Sequence, residues 1–210
     1  MDERQNQRIL CPPYGSFTTN LVMTGIMNER DAEICQRAKA GDAAAATELV
    51  KRHYQKIFAY FRRLCANDED AADLTQRTFA RVWAALASYA GRSTFSTWLH
   101  GIGRNIYVDW RRKGNRLDPQ ADEWWENCAA EGASPFEAAA ERDVARALYA
   151  EVAKLDEEKQ EVIHLRYYQG LTLNETAEVL GIAVSTVKYR LREALNSLRS
   201  RSVETQLGKR

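Results

Sequence analysis

Proline, cysteine and long apolar runs are all scarce in these 210 residues. The four prolines, Pro12, Pro13, Pro119 and Pro135, fall in two stretches. A proline inside a helix costs about 3 kcal/mol, so their absence elsewhere permits long uninterrupted helices. The four cysteines, Cys11, Cys35, Cys65 and Cys128, are scattered with no CxxC and no paired histidines, which argues against a disulfide framework or a zinc site and leaves reduced, structural thiols. No stretch approaches the roughly 18 uninterrupted apolar residues of a spanning helix, so membrane insertion is not expected. The N-terminus lacks a basic head followed by an apolar run, which makes the cytoplasm the expected compartment. There is no Gly-rich phosphate loop, nucleophile elbow or HExxH, and His53, His100 and His164 stand apart without motif partners. Neither an enzyme nor a cofactor or metal is expected, and each histidine reads as a surface or packing residue. Sustained period-two alternation is also missing, which leaves no signal for strands.

What is present is ordinary globular material, 45% hydrophobic and 28% charged. The net charge of +1 conceals blocks of opposite sign. Residues 29–113 hold 15 Lys/Arg against 10 Asp/Glu, whereas 114–140 hold only Arg116 against six acids. Residues 141–181 carry 5 basic against 9 acidic side chains, and 182–210 carry 7 against 2. Basic blocks at two separate places suit either a polyanion held at two points, through release of condensed counterions, or solvated helix faces.

Apolar residues recur at helical spacing in three runs before residue 113: Leu49, Ile57, Phe58, Phe61 and Leu64; Leu74, Val82, Trp83 and Leu86; and Trp98, Leu99, Ile102, Ile106 and Trp110. Asp68, Glu69 and Asp70 open one helix with acids at its positive end, and Ser93 or Thr94 can cap the next. The expected fold is all-α, with two small helical domains, 29–113 and 141–201, joined by an acidic flexible linker over 114–140. Residues 1–28 read as a disordered extension or the product of an upstream start codon, and 202–210 as a tail. Within the linker, Trp124 and Trp125 would expose a large apolar area, so they are expected to dock on a domain or a partner. In the second domain Val144, Leu148, Val152 and Leu155 form one stripe, and Val162, Ile163 and Leu165 lie on another helix.

Residues 171–198, LTLNETAEVLGIAVSTVKYRLREALNSL, have the spacing of a helix-turn-helix. Ala177 lets two helices cross closely, Gly181 suits a left-handed turn, and Val187 anchors the second helix on the first. Thr172 with Glu175 makes a capping box, and Ser185 can help open the second helix. Positions 184, 187, 191, 195 and 198 are expected to bury one face, leaving Ser185, Thr186, Lys188, Tyr189 and Arg192 outward, where they can read base edges and phosphates in a major groove.

With these residues in view, positions 29–200 resemble the extracytoplasmic-function (ECF) sigma factors of bacterial RNA polymerase, group 4 of the sigma-70 family. TLNETAEVLGIAVSTVKYRLREAL is similar to the family's region-four helix-turn-helix, and Asp73-Leu74-Thr75-Gln76-Arg77-Thr78-Phe79 to its DLxQxxF core-binding helix. Ser93 to Leu99 and Arg104 to Arg112 resemble its −10 recognition and melting segment. The resemblance implies a region-two domain and a region-four domain, with bacterial core RNA polymerase, promoter DNA and an anti-sigma factor as partners. It assigns Asp73, Gln76, Arg77 and Phe79 to core polymerase. It assigns Arg92, Ser93, Thr94, Phe95, Trp98, Arg104, Asn105, Arg111 and Arg112 to the −10 element, and Ser185, Thr186, Lys188, Tyr189 and Arg192 to the −35 element.

The residues themselves add physical content. Asp73, Gln76 and Arg77 share an exposed face of a helix expected from about 69 to 90, with Leu74, Phe79, Val82 and Trp83 turned inward. The turn from Tyr89 to Ser96 offers Gly91, Arg92 and hydroxyls at a helix N-terminus, a place for a phosphate and for one extruded base. Phe95 and Trp98 fit a core at least as well. Arg104, Arg111, Arg112 and Lys113 extend a basic ridge. Three departures from the family pattern stand out: Arg77 where relatives commonly carry an acid, Gly101 and Gly103 inside the promoter-reading helix, and Tyr189 where a small residue is common. The competing reading is a stand-alone helix-turn-helix regulator with an N-terminal sensing domain.

Overall fold

The structure is a computed structural model that describes residues 20–65, 67–114 and 147–207, with side chains over 30–65, 67–114 and 147–201. All regular elements among these residues are helical. The expected linker beyond Gly114, with Trp124 and Trp125, lies outside the described residues, as do 1–19 and Val144.

Helix α1 (Asn20–Lys39) begins upstream of residue 29, and α2 (Ala43–Cys65) follows after a tight turn. There Gly41 takes φ 93°, and the Asp42 carboxylate accepts the N–H groups of Ala44 (2.9 Å) and Ala45 (3.1 Å) while binding Arg37. Helix α3 (Asp68–Ala85) is capped by Asn67, whose side chain accepts from the N–H groups of Glu69 and Asp70, and three acids occupy its first turn. A short 3₁₀ turn, Leu86–Ser88, ends it. Of the two candidate caps for α4 (Phe95–Arg112), Thr94 takes the place, its hydroxyl accepting the Thr97 N–H at 3.0 Å.

Helix α2 packs on α1 and α3, and α3 packs on α4, around fully buried Leu49, Ile57, Phe61, Leu74, Val82 and Leu99. The two glycines of α4 differ. A Cβ on Gly103 would sit 3.2 Å from the Phe61 ring, so this glycine permits the close approach of α4 to α2, whereas Gly101 faces open space. Phe79 belongs to this core at 6% exposure, beside the rings of Tyr54 and Trp83.

The second half begins with α5 (147–153). Helix α6 (Glu157–Ile163), capped by Asp156, runs into a single π turn over His164–Tyr168, and α7 (Leu173–Leu180) and α8 (Val184–Leu207) complete it. The capping box forms as expected, with the Thr172 hydroxyl accepting from Glu175 N–H (3.2 Å) and the Glu175 carboxylate accepting from Thr172 N–H (2.8 Å). Gly181 is left-handed at φ 67°, ψ 33°, which places the Ile182 N–H on the Ala177 carbonyl and turns the chain into α8. Val187 is fully buried against α7, as the helix-turn-helix spacing requires.

The expected apolar stripe on α8 needs correction at Leu195, which is 43% exposed, while Ala194 is fully buried. Seven residues past Val187 returns to nearly the same helical angle and eight overshoots by most of a quarter turn, so the stripe runs through 187, 191 and 194. Leu148 on α5 is likewise exposed, and its stripe is carried by Val152 and Leu155. The two halves touch: α4 packs on α7, and the π turn packs on α2.

Candidate nucleic-acid and polymerase interfaces

Three polar surfaces emerge from this framework, and they differ in how open they are. On α3, Asp73, Gln76 and Arg77 lie exposed on one face. Asp73 Oδ2 accepts from Arg77 Nη1 at 3.1 Å, so the unusual arginine is paired within its own helix. Phe79 does not share that surface. Its ring is in the core and supports the helix from beneath, because two residues past Arg77, about 200° of helical rotation, the side chain points away from the exposed face.

The turn before α4 is built around Tyr89. Its ring stacks on Trp98 (4.8 Å between centroids) and its hydroxyl donates to the Ser93 carbonyl at 2.6 Å. Lys39 Nζ donates to the Tyr89 carbonyl. Gly91, at φ 70°, lets this loop reverse and leaves Arg92 exposed. Phe95 is withdrawn from solvent at 1% exposure, packed on the rings of His53 (5.1 Å) and Tyr89 (6.0 Å). It is a core residue here and presents nothing to a base. Trp98 is half-buried, with its ring at the rim of the loop.

The basic ridge of α4 is interrupted. Asn105 and Arg112 are exposed, but Arg104 and Arg111 face the second half of the chain. Arg104 makes a two-pronged pair with Glu161 of α6, Nε to Oε1 at 3.0 Å and Nη2 to Oε2 at 3.2 Å, with Glu161 only 7% exposed. Arg111 pairs with Glu157, one turn earlier on α6, and lies over the Tyr107 ring. At the start of α4 the Thr97 hydroxyl donates to Glu175 Oε1 at 3.1 Å, with the Thr94 hydroxyl 3.4 Å from the same oxygen. Burial pushes the Glu175 carboxyl up, but hydrogen bonds from Thr172, Thr97 and Thr94 outweigh it and hold its pKa below the ordinary value. Between these contacts His100 sits 2.7 Å from the Ser96 carbonyl and 3.3 Å from the Gln169 side chain. Burial pushes its pKa down to about 4, which keeps the imidazole neutral. His164, buried beside Arg63, is pushed down to about 3 by desolvation and that cation.

Sequence reasoning did not anticipate Glu157, Glu161 and Glu175 as partners of α4. Their signal was the acidic excess over 141–181 facing the basic excess over 29–113, a complementarity of blocks that does not specify pairs.

The third surface is open. Ser185, Lys188, Tyr189 and Arg192 project from α8 with Thr186 half-buried beside them, and the Arg192 guanidinium lies 5.6 Å above the Tyr189 ring. Arg190, on the flank, pairs with Glu158 at 2.7 Å. This is a helix-turn-helix whose second helix presents hydroxyl, ammonium, phenol and guanidinium groups side by side.

Comparison with known proteins agrees with both halves. Residues 49–117 match the family model for sigma-70 region 2, and 152–200 match that for sigma-70 region 4. The chain is 32% identical over 163 residues to the ECF RNA polymerase sigma factor SigE of Mycolicibacterium smegmatis, covering 76% of this chain and 63% of that one. It is 29% identical over 172 residues to SigW of Bacillus subtilis, covering 78% of this chain and 92% of that one. Among solved structures, CnrH in complex with the cytosolic domain of CnrY superposes with a TM-score of 0.63 at 28% identity, covering 83% of this chain and 97% of that one. The chain belongs to the ECF sigma factors of bacterial RNA polymerase. Its function is that of a sigma factor, which directs promoter recognition by core RNA polymerase in transcription initiation. No helix among the described residues is long and apolar enough to cross a membrane.

Proposed function

We propose that the three surfaces divide the work of initiation among them. Region two, residues 29–113, docks on core polymerase through Asp73, Gln76 and Arg77, with Phe79 positioning that helix from the core. It takes the −10 element through the Arg92–Thr94 loop, Trp98, Arg104, Asn105, Arg111 and Arg112. Region four, residues 141–201, reads the −35 element through Ser185, Thr186, Lys188, Tyr189 and Arg192, and the acidic linker 114–140 spans the two. The protein acts in the cytoplasm as a binding subunit with no catalytic step of its own. An anti-sigma factor is a further partner of the kind the family resemblance implies, and the similar CnrH is itself held in a complex, with the cytosolic domain of CnrY.

The observation that carries this reading is the outward face of α8, held in place by the capping box, the left-handed Gly181 and buried Val187. Transcription in vitro with purified core polymerase on a pool of random promoters tests it. Transcripts are expected only with core enzyme and this protein together, starting downstream of a shared pair of elements. A footprint of comparable strength from the protein alone would favour the stand-alone regulator instead. Asp73→Ala with Gln76→Ala is expected to weaken capture of core enzyme while leaving the melting temperature unchanged, because both side chains are exposed.

A further inference from the structure

Three carboxylates of the second half meet α4 at positions 97, 104 and 111. Glu175 accepts from the Thr97 hydroxyl, Glu161 grips Arg104 with both oxygens, and Glu157 reaches Arg111. Those α4 positions are seven residues apart, two helical turns, so they form one straight row with about 10 Å between neighbours. Each member of the row is a hydroxyl or a guanidinium, the groups that proteins turn toward phosphate oxygens, and each is occupied by an oxyanion. The occupants come from three separate places, the first and second turns of α6 and the first turn of α7. The row is covered most at its start, with Thr97 1% exposed and Arg104 keeping 24% of its side-chain surface, and opens toward Arg111, which keeps 34%.

We propose that region four serves as an intramolecular stand-in for the DNA backbone, and that the Thr97–Arg104–Arg111 row of α4 alternates between these carboxylates and the phosphates of the promoter's single strand. The inference rests on the reading above that α4 takes the −10 element. The free protein is then closed, with its downstream reader shut by its own second domain while the α8 face stays open. Initiation exchanges carboxylates for phosphates. Because the exchange replaces like with like, the row loses no partner in either state, and the two domains separate without leaving buried cations unpaired.

The test uses the full chain with Glu157→Gln, Glu161→Gln and Glu175→Gln combined. Glutamine keeps the shape, and at position 175 it still serves a capping box, so only the charges are removed. The probe is a fluorescein-labelled random-sequence single strand of about 12 nucleotides, within the span such sites cover. The variant is expected to bind it about tenfold more tightly than the parent, and to show a larger radius of gyration in small-angle scattering with helix content unchanged. Addition of the same strand to the parent protein is expected to enlarge its radius as well, an arm that needs no variant to fold. Unchanged affinity and radius in the variant, together with an unchanged radius of the parent saturated with the strand, would overturn the proposal. Arg104→Ala in the holoenzyme separates the two levels. If promoter opening is unaffected by it, the assignment of α4 to the −10 element fails. If opening is impaired while the glutamine variant behaves like the parent, only the stand-in fails.

Discussion

Two helices of this protein carry the proposed DNA-reading faces, and they stand in opposite conditions. The outward side chains of α8 face solvent, with Arg192 over the Tyr189 ring, and no residue of α4 covers them. On α4, Thr97, Arg104 and Arg111 are met by carboxylates of the other half, with a neutral buried histidine among them. The same chemical groups therefore have different energetic meanings. On α8 an arginine is worth what it gains from DNA; on α4 it also holds two domains together.

That contrast can be broken most forcefully with acid. His100 and His164 have pKa values held near 4 and 3 in the folded protein, against 6.5 for a free imidazole. The groups around them add no anion: His100 faces His53, Lys56 and the Gln169 side chain, and His164 faces Arg63. Above pH 6.5 both states are neutral and the packing is at full strength. As pH falls from 6.5 toward 4 the opened or unfolded chain takes up protons that the packed one refuses, so stability is lost through that window. Hydrogen exchange at pH 5 against pH 7 is expected to show α4 and the His164–Tyr168 turn loosening before the α7–α8 turn. Loosening in the reverse order would contradict the assignment.

Arginine truncation gives the next largest effect. Arg104→Ala strands the Glu161 carboxylate, 7% exposed, and is expected to cost about 3 kcal/mol, or roughly 6 to 12 °C in melting temperature. Arg192→Ala, whose side chain is 69% exposed, is expected to change stability by less than about 0.5 kcal/mol. Equal shifts in thermal melts would erase the distinction between the helices.

On DNA the order of importance within α8 follows from chemistry. Arg192→Ala is expected to relax discrimination at one or two −35 positions by about 1 to 3 kcal/mol, as loss of a bidentate guanine contact does. Lys188→Ala is expected to weaken binding uniformly and flatten its salt dependence. Holoenzyme binding to every single-base variant of the −35 element separates them, and parallel sequence-independent losses would assign both side chains to phosphates. Among the losses expected within the second half, Gly181→Ala, which places a Cβ at φ 67° with open space around it, is expected to cost about 1 kcal/mol, read as a shift in denaturation midpoint.

The local half of this structure could be read from the sequence, and the reason is physical. The capping box, the Gly181 turn and buried Val187 are set by residues within a few positions of one another, so spacing alone determines them. Gly101 and Gly103 stood out alike as glycines inside a helix, and only the Phe61 ring, on a separate helix, separates the one that permits close packing from the one that faces open space. Asn67, directly before three acids, carried a cap signal that the acids overshadowed. Leu195 misled because its apolar side chain stands eight residues past Val187, most of a quarter turn off the buried line that Ala194 occupies. Phe79 was expected to turn inward and Phe95 fitted a core at least as well as a promoter contact, and the structure puts both in the core. The Arg104–Glu161 pair spans 57 positions. Nothing in a periodicity or a short motif selects one glutamate among the nine acids of residues 141–181.

Glu175 completes the helix-capping box of α7 and at the same time accepts from Thr97 across the domain boundary. For anyone recombining promoter-reading modules, this makes the graft boundary matter more than the graft itself. Transplanting the four outward residues of α8, Ser185, Lys188, Tyr189 and Arg192, is expected, on the proposed reading of the −35 element, to change the upstream address and leave the seam with α4 intact. Exchanging the whole second domain for one without acids at 157, 161 and 175 would change the address and also remove the restraint on α4. A chimera of the second kind is then constitutively permissive toward single strands, and its background transcription reports on the seam rather than on the new specificity.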